Sequence, residues 1–136
     1  MWFTPFGYFD DAQNHALLAG LRDVLRPGGV LLLDYLNADL LRSSLVPEDQ
    51  EDRSGIRIRN RRWISGDRVE KEMTLTRLAT GETRVALESV RIYEPKALEA
   101  LAASEGLRFR KALGSYAGEP FEAGSPRWIG LFERPH

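Results

Sequence analysis

Hydrophobic positions in the first part of the chain recur at helical spacing and then merge into one unbroken apolar run. The helical set, which predicts a helix over residues 11–25, consists of Leu17, Leu18, Leu21, Val24 and Leu25. Asp10 and Gln13 have the spacing of a capping box, and Arg-Pro-Gly-Gly at 26–29 ends the helix. The run at 30–36 does not alternate, which is typical of a strand covered on both faces. We therefore expect a central strand there.

A short helix and a connector are predicted next. Asn37 is a suitable first residue for a helix over 37–45. Residues 46–52, Val-Pro-Glu-Asp-Gln-Glu-Asp, are acidic and contain a proline, so we expect a connector there. This connector is the best internal boundary of the chain.

The pattern then changes to alternation of polar and apolar residues. Three alternating runs, at 56–64, 68–78 and 83–93, are separated by glycine-containing turns. They predict a three-stranded antiparallel meander over residues 55–93. Pro95 begins a further helix that ends at Gly106, and two more strands are expected at 107–113 and 127–132, joined by a long loop. The predicted class is α/β, or α+β in practice, in a single domain over 1–136.

Composition excludes several classes of protein. The chain has 136 residues, 29% of them charged, and a net charge of -1, which is ordinary for a globular protein and suggests no nucleic-acid partner. It has no cysteine and only two histidines, so we expect no metal site. The longest apolar run is too short to cross a bilayer, so we expect no membrane partner and a cytoplasmic location.

Four segments, in this order, resemble the C-terminal half of class I S-adenosylmethionine-dependent methyltransferases. They are TPFGYFDD at 4–11, VLRPGGVLLLDYLN at 24–37, RIYEPKALEALAASEGL at 91–107 and GEPFEAGSPRWIGLFERP at 118–135. The resemblance implies a partial Rossmann-like sheet, with the family's fifth, sixth and seventh strands, built from 1–46 and 94–136. The meander at 55–93 then matches an insertion that helps to cover the substrate.

The family's cofactor motifs are absent from this sequence. The family binds S-adenosylmethionine with a glycine-rich turn after its first strand and an acidic residue after its second. The nearest glycine pattern, at 114–118, leads into a proline-containing loop, so we do not expect it to cradle a cofactor. S-adenosylmethionine is thus the cofactor by resemblance, but we expect no binding to this chain alone. Phe6 and Gly7 would border it only if a partner completed the site.

The missing half would leave an apolar strand with an open edge and bare faces, which promotes association. We expect either a homodimer or a partner chain that supplies the N-terminal half. Trp2 and Phe3 would be the remnant of the family's fourth strand, either pairing with the strand at 30–36 or buried by a second copy of the chain.

The resemblance also suggests residues for the acceptor. Tyr8 would border it, and Asp34 and Asn37 could orient it, although a helix cap is the simpler interpretation of Asn37. Positions such as Tyr93, Tyr116 and Arg127 line the acceptor pocket in the family, and an arginine suits a carboxylate or phosphate.

Other residues have plainer interpretations. Of the neighbours Arg62 and Trp63, which lie on opposite faces of a strand, we expect Trp63 to pack and Arg62 to be solvated. No catalytic residue can be named from the sequence.

Two functional hypotheses follow. The chain is either the acceptor-side portion of a small-molecule methyltransferase, active only when the missing half is supplied, or a non-catalytic dimerisation or ligand-binding module derived from one. The sequence leaves open whether it is an enzyme.

Overall fold

The structure is a computed structural model and describes residues 6–136. Three helices and seven strands follow one another along this part of the chain. In order they are α1 (Asp11–Val24), β1 (Val30–Leu36), α2 (Ala38–Ser44), β2 (Glu48–Arg53), β3 (Ile56–Ser65), β4 (Arg68–Arg77), β5 (Thr83–Arg91), α3 (Pro95–Ser104), β6 (Arg108–Leu113) and β7 (Arg127–Glu133).

Helix α1 begins and ends where the sequence predicts. The backbone N–H of Gln13 donates to Oδ1 of Asp10 over 2.8 Å, which caps the first turn. Gly28 follows the helix with a φ of 74°, a value that favours glycine. Its N–H donates to the carbonyl of Arg134 over 2.8 Å, so the turn is tied to the residue that follows β7.

The core sheet has the order β1-β7-β6, with both pairs antiparallel. One face of β1 presents Leu31, Leu33 and Tyr35, which pack with Trp128 and Phe132 of β7 in the hydrophobic core. Side chains of α1 and α3 complete this core, among them Leu18, Leu98, Leu101 and Ala102. The apolar strand expected at 30–36 is confirmed, including its bounds.

The central position expected for this strand is not seen in residues 6–136, where β1 pairs with β7 alone. Trp2 and Phe3, the predicted remnant of its other neighbour, lie outside the described residues. The face of β1 that carries Leu31, Leu33 and Tyr35 is buried, whereas the other face is only partly covered, since Asp34 is fully buried but Val30 is 55% exposed.

The second sheet is an antiparallel meander with the order β2-β3-β4-β5. The predicted meander is thus confirmed, with one strand more than expected. The prediction of a connector at 46–52 is wrong, because Glu48–Arg53 is strand β2. Its acidic side chains face the arginines of β3: Asp52 accepts from Arg57 over 2.9 Å, and Glu48 lies 3.5 Å from Arg59. Backbone pairing with β3 along all six residues holds this segment of low strand propensity in a strand.

The mixed α/β class and the partial Rossmann-like architecture agree with the prediction. Helix α3 has Pro95 in its first turn and ends before Gly106, as expected. No helix in the described part of the chain has the length and apolar character needed to cross a membrane. Within residues 6–136, no three His, Cys, Asp or Glu side chains are grouped so that they could hold a metal ion.

Candidate functional site

The structure brings together three of the predicted site residues, namely Asp34, Tyr116 and Arg127. Asp34 lies on β1 and is 0% exposed. Nε of Arg127 donates to Oδ1 of Asp34 over 2.7 Å. The hydroxyl of Tyr116 donates to Oδ2 over 2.7 Å. This hydrogen bond, with a smaller effect of desolvation, raises the pKa of Tyr116. We call these three residues the Asp34 cluster.

The fold explains how residues so distant in sequence meet. Asp34 lies near the end of β1, and Arg127 begins β7 opposite Leu36 in the antiparallel register. Because side chains two positions apart share a face of a strand, Arg127 and Asp34 lie on the same face of the sheet. Tyr116 reaches them from the loop between β6 and β7.

Asn37 joins α2 to that loop. Its Oδ1 accepts from the backbone N–H of Asp39 over 3.2 Å, so Asn37 is the cap of α2, as the simpler interpretation held. Its Nδ2 donates to the carbonyls of Ala123 and Ser125, over 2.8 Å each. Asn37 is therefore placed to hold the loop beside the Asp34 cluster, and its role toward an acceptor stays a prediction.

The other predicted residues lie on the opposite side of β1. Phe6 is fully buried, with its ring centroid 6.2 Å from that of Tyr35 and 5.9 Å from that of Tyr93. Tyr35 and Asp34 are adjacent on β1, so their side chains point to opposite faces. Tyr93 and Phe6 are thus separated by the sheet from the Asp34 cluster.

Tyr93 is held by a polar network of its own. Its hydroxyl donates to Oδ1 of Asp11 over 2.5 Å and accepts from Nδ2 of Asn14 over 3.1 Å. Desolvation, with the hydrogen bond to Asp11 second, raises the pKa of Tyr93 to about 12. The guanidinium of Arg91 lies 4.6 Å from the ring centroid.

Gly7 and Tyr8 lie against the end of the meander. The N–H of Arg91 donates to the carbonyl of Gly7 over 2.7 Å. The guanidinium of Arg68 contacts the carbonyls of Gly7, Tyr8 and Phe9 at 3.2 to 3.3 Å. Tyr8 itself is exposed. Residues 7–9 are therefore fixed by their backbone, while the Tyr8 ring is accessible.

A cleft of about 430 Å³ separates the core sheet from the meander. Its walls come from the end of β1, from α2, from the start of the meander and from the residues that lead into β7. The apolar part is formed by Leu36, Leu40, Leu41, Leu45, Val46 and Pro126. The polar part is formed by Ser44, Asp49, Arg62 and Arg127. Arg127 connects this cleft to the Asp34 cluster.

The expectation for Arg62 and Trp63 is reversed. Trp63 is 42% exposed, whereas the Arg62 side chain is only 24% exposed and lines the cleft. Alternation shows which residues share a face of a strand but not which face another element covers. Sequence reasoning also missed Asp49, because it assigned no strand to its segment. The sequence did contain a sign of this strand pair, namely an acidic run at 48–52 followed by an arginine-rich run at 57–62.

Arg62 and Asp49 form an ion pair in the wall of the cleft. Nη1 of Arg62 donates to Oδ2 of Asp49 and, over 3.4 Å, to the carbonyl of Val46. Oδ1 of Asp49 accepts from Nδ2 of Asn60 over 2.7 Å. The hydrogen bond from Asn60, followed by that from Arg62, lowers the pKa of Asp49.

The glycine-containing segment at 114–118 does not fit an S-adenosylmethionine site. The 114–118 segment opens no helix; it leads to an isolated bridge between Leu113 and Pro120. Gly114 is packed too tightly for a ligand, since a Cβ there would lie 2.2 Å from Oγ of Ser125. Phe6 is enclosed by the chain's own aromatic rings. Cofactor contacts for Phe6 and Gly7 stay a prediction.

Neither family models nor curated proteins match the sequence. Solved structures do match the fold. The chain superposes on a S-adenosylmethionine-dependent methyltransferase from Clostridium acetobutylicum with a TM-score of 0.82 and 15% identity, covering 96% of this chain and 55% of that one. The CcbJ methyltransferase from Streptomyces caelestis gives a TM-score of 0.80 at 15% identity, covering 96% and 53%.

A third similar structure is that of CalS10 from Micromonospora echinaspora, an amino pentose methyltransferase bound to S-adenosylmethionine. It gives a TM-score of 0.64 at 18% identity, covering 97% of this chain and 55% of that one. The chain thus has the fold of part of a S-adenosylmethionine-dependent methyltransferase. It spans about half the length of the proteins it matches.

Proposed function

We propose that this chain is the acceptor-side portion of a cytoplasmic S-adenosylmethionine-dependent methyltransferase that acts on a small molecule. The observation that carries the proposal is the cleft between core sheet and meander, with the Asp34 cluster at its edge. A cavity of this size, mainly apolar with a few convergent polar groups, is typical of small-molecule sites.

In this proposal the residues of the chain position the acceptor. Methyl transfer by in-line displacement depends mainly on the alignment of the two reactants, with proton removal needed for some acceptors. Asp34 is fully buried, and its two oxygens accept from Arg127 and Tyr116. We therefore assign Asp34 as a positioning residue that fixes the Arg127 guanidinium in the cleft wall. Tyr8 does not line this cleft, so its contact with the acceptor is not part of the proposal.

We further propose that a second polypeptide segment supplies the cofactor site. Two observations support this. The glycine-containing segment at 114–118 does not fit the cofactor, and the chain covers about half of the methyltransferases it resembles. The complementing segment would carry the glycine-rich turn and cover the outer face of the core sheet. A homodimer is the alternative arrangement that would cover that face.

Thermal denaturation with S-adenosylhomocysteine tests the proposal. A ligand at 100 times its dissociation constant stabilises a protein by about 2.7 kcal/mol. We expect no stabilisation of the isolated chain. Stabilisation is expected when the chain is mixed with a neighbouring gene product that carries the glycine-rich turn. Stabilisation of the chain alone would refute the need for a second segment. A mixture that forms no cofactor-binding complex would refute the proposal that the chain is the acceptor-side portion of a methyltransferase.

The non-catalytic module is the second candidate. It is supported by the same poor fit of the 114–118 segment to the cofactor. It predicts that small molecules bind in the cleft and that no methylated product forms even when the cofactor half is present. Mass spectrometry of the mixture distinguishes the two, since methyl transfer adds about 14 Da to the acceptor.

A further inference from the structure

One edge of the Arg62 guanidinium faces no acceptor within residues 6–136. Nη1 is used by Asp49 and Val46, but Nε and Nη2 donate to no described residue. These two groups form the edge of guanidinium that binds a carboxylate through two parallel hydrogen bonds. Three quarters of the side chain is removed from solvent, but neither Nε nor Nη2 is fully buried, so this edge is open to a ligand in the cleft.

The surroundings of Arg62 restrict what could bind there. Four leucines, a valine and a proline form most of the cleft wall, so the body of a ligand would contact apolar surface. Asp49 is already engaged by Asn60 and by Nη1 of Arg62. Lys71 lies opposite Arg62 in the β3–β4 register and adds a second cation near the ion pair.

We propose that the cleft binds a small molecule that combines an apolar body with a carboxylate, and that Arg62 receives this carboxylate through Nε and Nη2. The inference rests on the proposed function in one respect, namely that the bound molecule is the methyl acceptor. The binding itself requires only the described residues. It can be measured on the isolated chain, so its failure is distinguishable from a failure of methyl transfer.

The test compares two compounds of nearly the same shape, 4-phenylbutyrate and 4-phenylbutanamide, titrated into the ¹⁵N-labelled chain. We expect the acid to shift the Nε–H resonance of Arg62 and the backbone amides of Leu40 and Leu45. We expect it to bind about tenfold more tightly than the amide, the factor expected for a charge-assisted bidentate pair. Equal binding, binding of neither compound, or shifts confined to another region would overturn the proposal.

Two variants separate recognition from folding. Arg62→Lys keeps a cation for Asp49 but lacks the second donor edge, so the preference for the acid should fall below about threefold. Arg59→Lys is the matched control, since Arg59 lies on the opposite face of β3 and pairs with Glu48. It should retain the full preference. A preference that survives in Arg62→Lys would refute the bidentate contact, and spectra of both variants show whether the fold is intact.

Discussion

Replacement of Asp34 by asparagine should destabilise the protein through Tyr116 and Arg127. The substitution keeps the shape of the side chain and removes its charge. The Tyr116 bond changes from one to a charged group, which contributes about 1.5–3 kcal/mol, to a neutral one, which contributes about 0.5–1.5 kcal/mol, so it weakens by about 1 kcal/mol. Only 26% of the Arg127 side chain is exposed, and loss of its carboxylate adds roughly another 1 kcal/mol.

The expected loss of about 2 kcal/mol is measurable in two ways. Urea unfolding monitored by fluorescence gives the free energy directly. Differential scanning calorimetry should show a Tm lower by roughly 5–10 °C. Asp52→Asn is the matched control, because Asp52 also accepts from an arginine Nε, over 2.9 Å, but both partners are nearly half exposed. Exposed ion pairs contribute little, so this variant should unfold like the native chain.

The two variants together test whether burial, rather than ion pairing as such, gives the Asp34 cluster its strength. If Asp34→Asn and Asp52→Asn unfold at the same urea concentration, the reasoning fails. It also fails if Asp34→Asn is as stable as the native chain. A folded Asp34→Asn protein should in addition bind 4-phenylbutyrate more weakly, because Arg127 is no longer fixed in the cleft wall.

Three further predictions concern the residues beside the meander. Gly7→Ala should destabilise by about 2 kcal/mol, because Gly7 has a φ of 100° and a Cβ there would lie 3.0 Å from Val90. Gly20→Ala, on the exposed side of α1, should instead stabilise by about 0.5–1 kcal/mol; urea unfolding that ranks them the other way would contradict both. Folding raises the pKa of the Tyr93 hydroxyl from 10.0 to about 12. The protonated hydroxyl therefore adds fully to the free energy of unfolding below pH 10, and this contribution is lost as the pH rises toward 12. Tyr93→Phe should lose less stability between pH 10 and pH 12 than the native chain. An unchanged slope of unfolding free energy against pH would refute the prediction. Arg68→Met should accelerate hydrogen exchange at the Arg91 amide, which donates to Gly7, and an unchanged exchange rate would show that Arg68 does not hold this segment.

Local patterns predicted the regular elements of the core well. The strand at 30–36 and the cap at Asp10 depend on short-range signals, namely an unbroken apolar run and a polar residue before a periodic one. Strand β2 escaped prediction because Glu48–Arg53 lacks strand formers. Its strand conformation depends on backbone pairing with β3 along all six residues, which is a tertiary effect.

The candidate site was predictable in its members but not in its arrangement. Resemblance to the methyltransferases selected Asp34, Tyr116 and Arg127 individually, and the structure joins them in one cluster. Their meeting depends on the antiparallel register of two strands distant in sequence and on the path of a long loop, which no local pattern specifies. For Arg62, the sequence could not show that α2 and the end of β1 would enclose its face of β3.

The pairing of β1 with β7 has a consequence for the order of folding. In this pair Leu36 lies opposite Arg127 and Val30 opposite Glu133, so residues 37–126, about two thirds of the described chain, lie between the two strands. The meander, in contrast, consists of hairpins closed by short turns. Local contacts form sooner than distant ones, because closing a long loop costs more chain entropy. We expect a newly synthesised chain to build the meander first, and the core sheet with its Asp34 cluster only after β7 has left the ribosome.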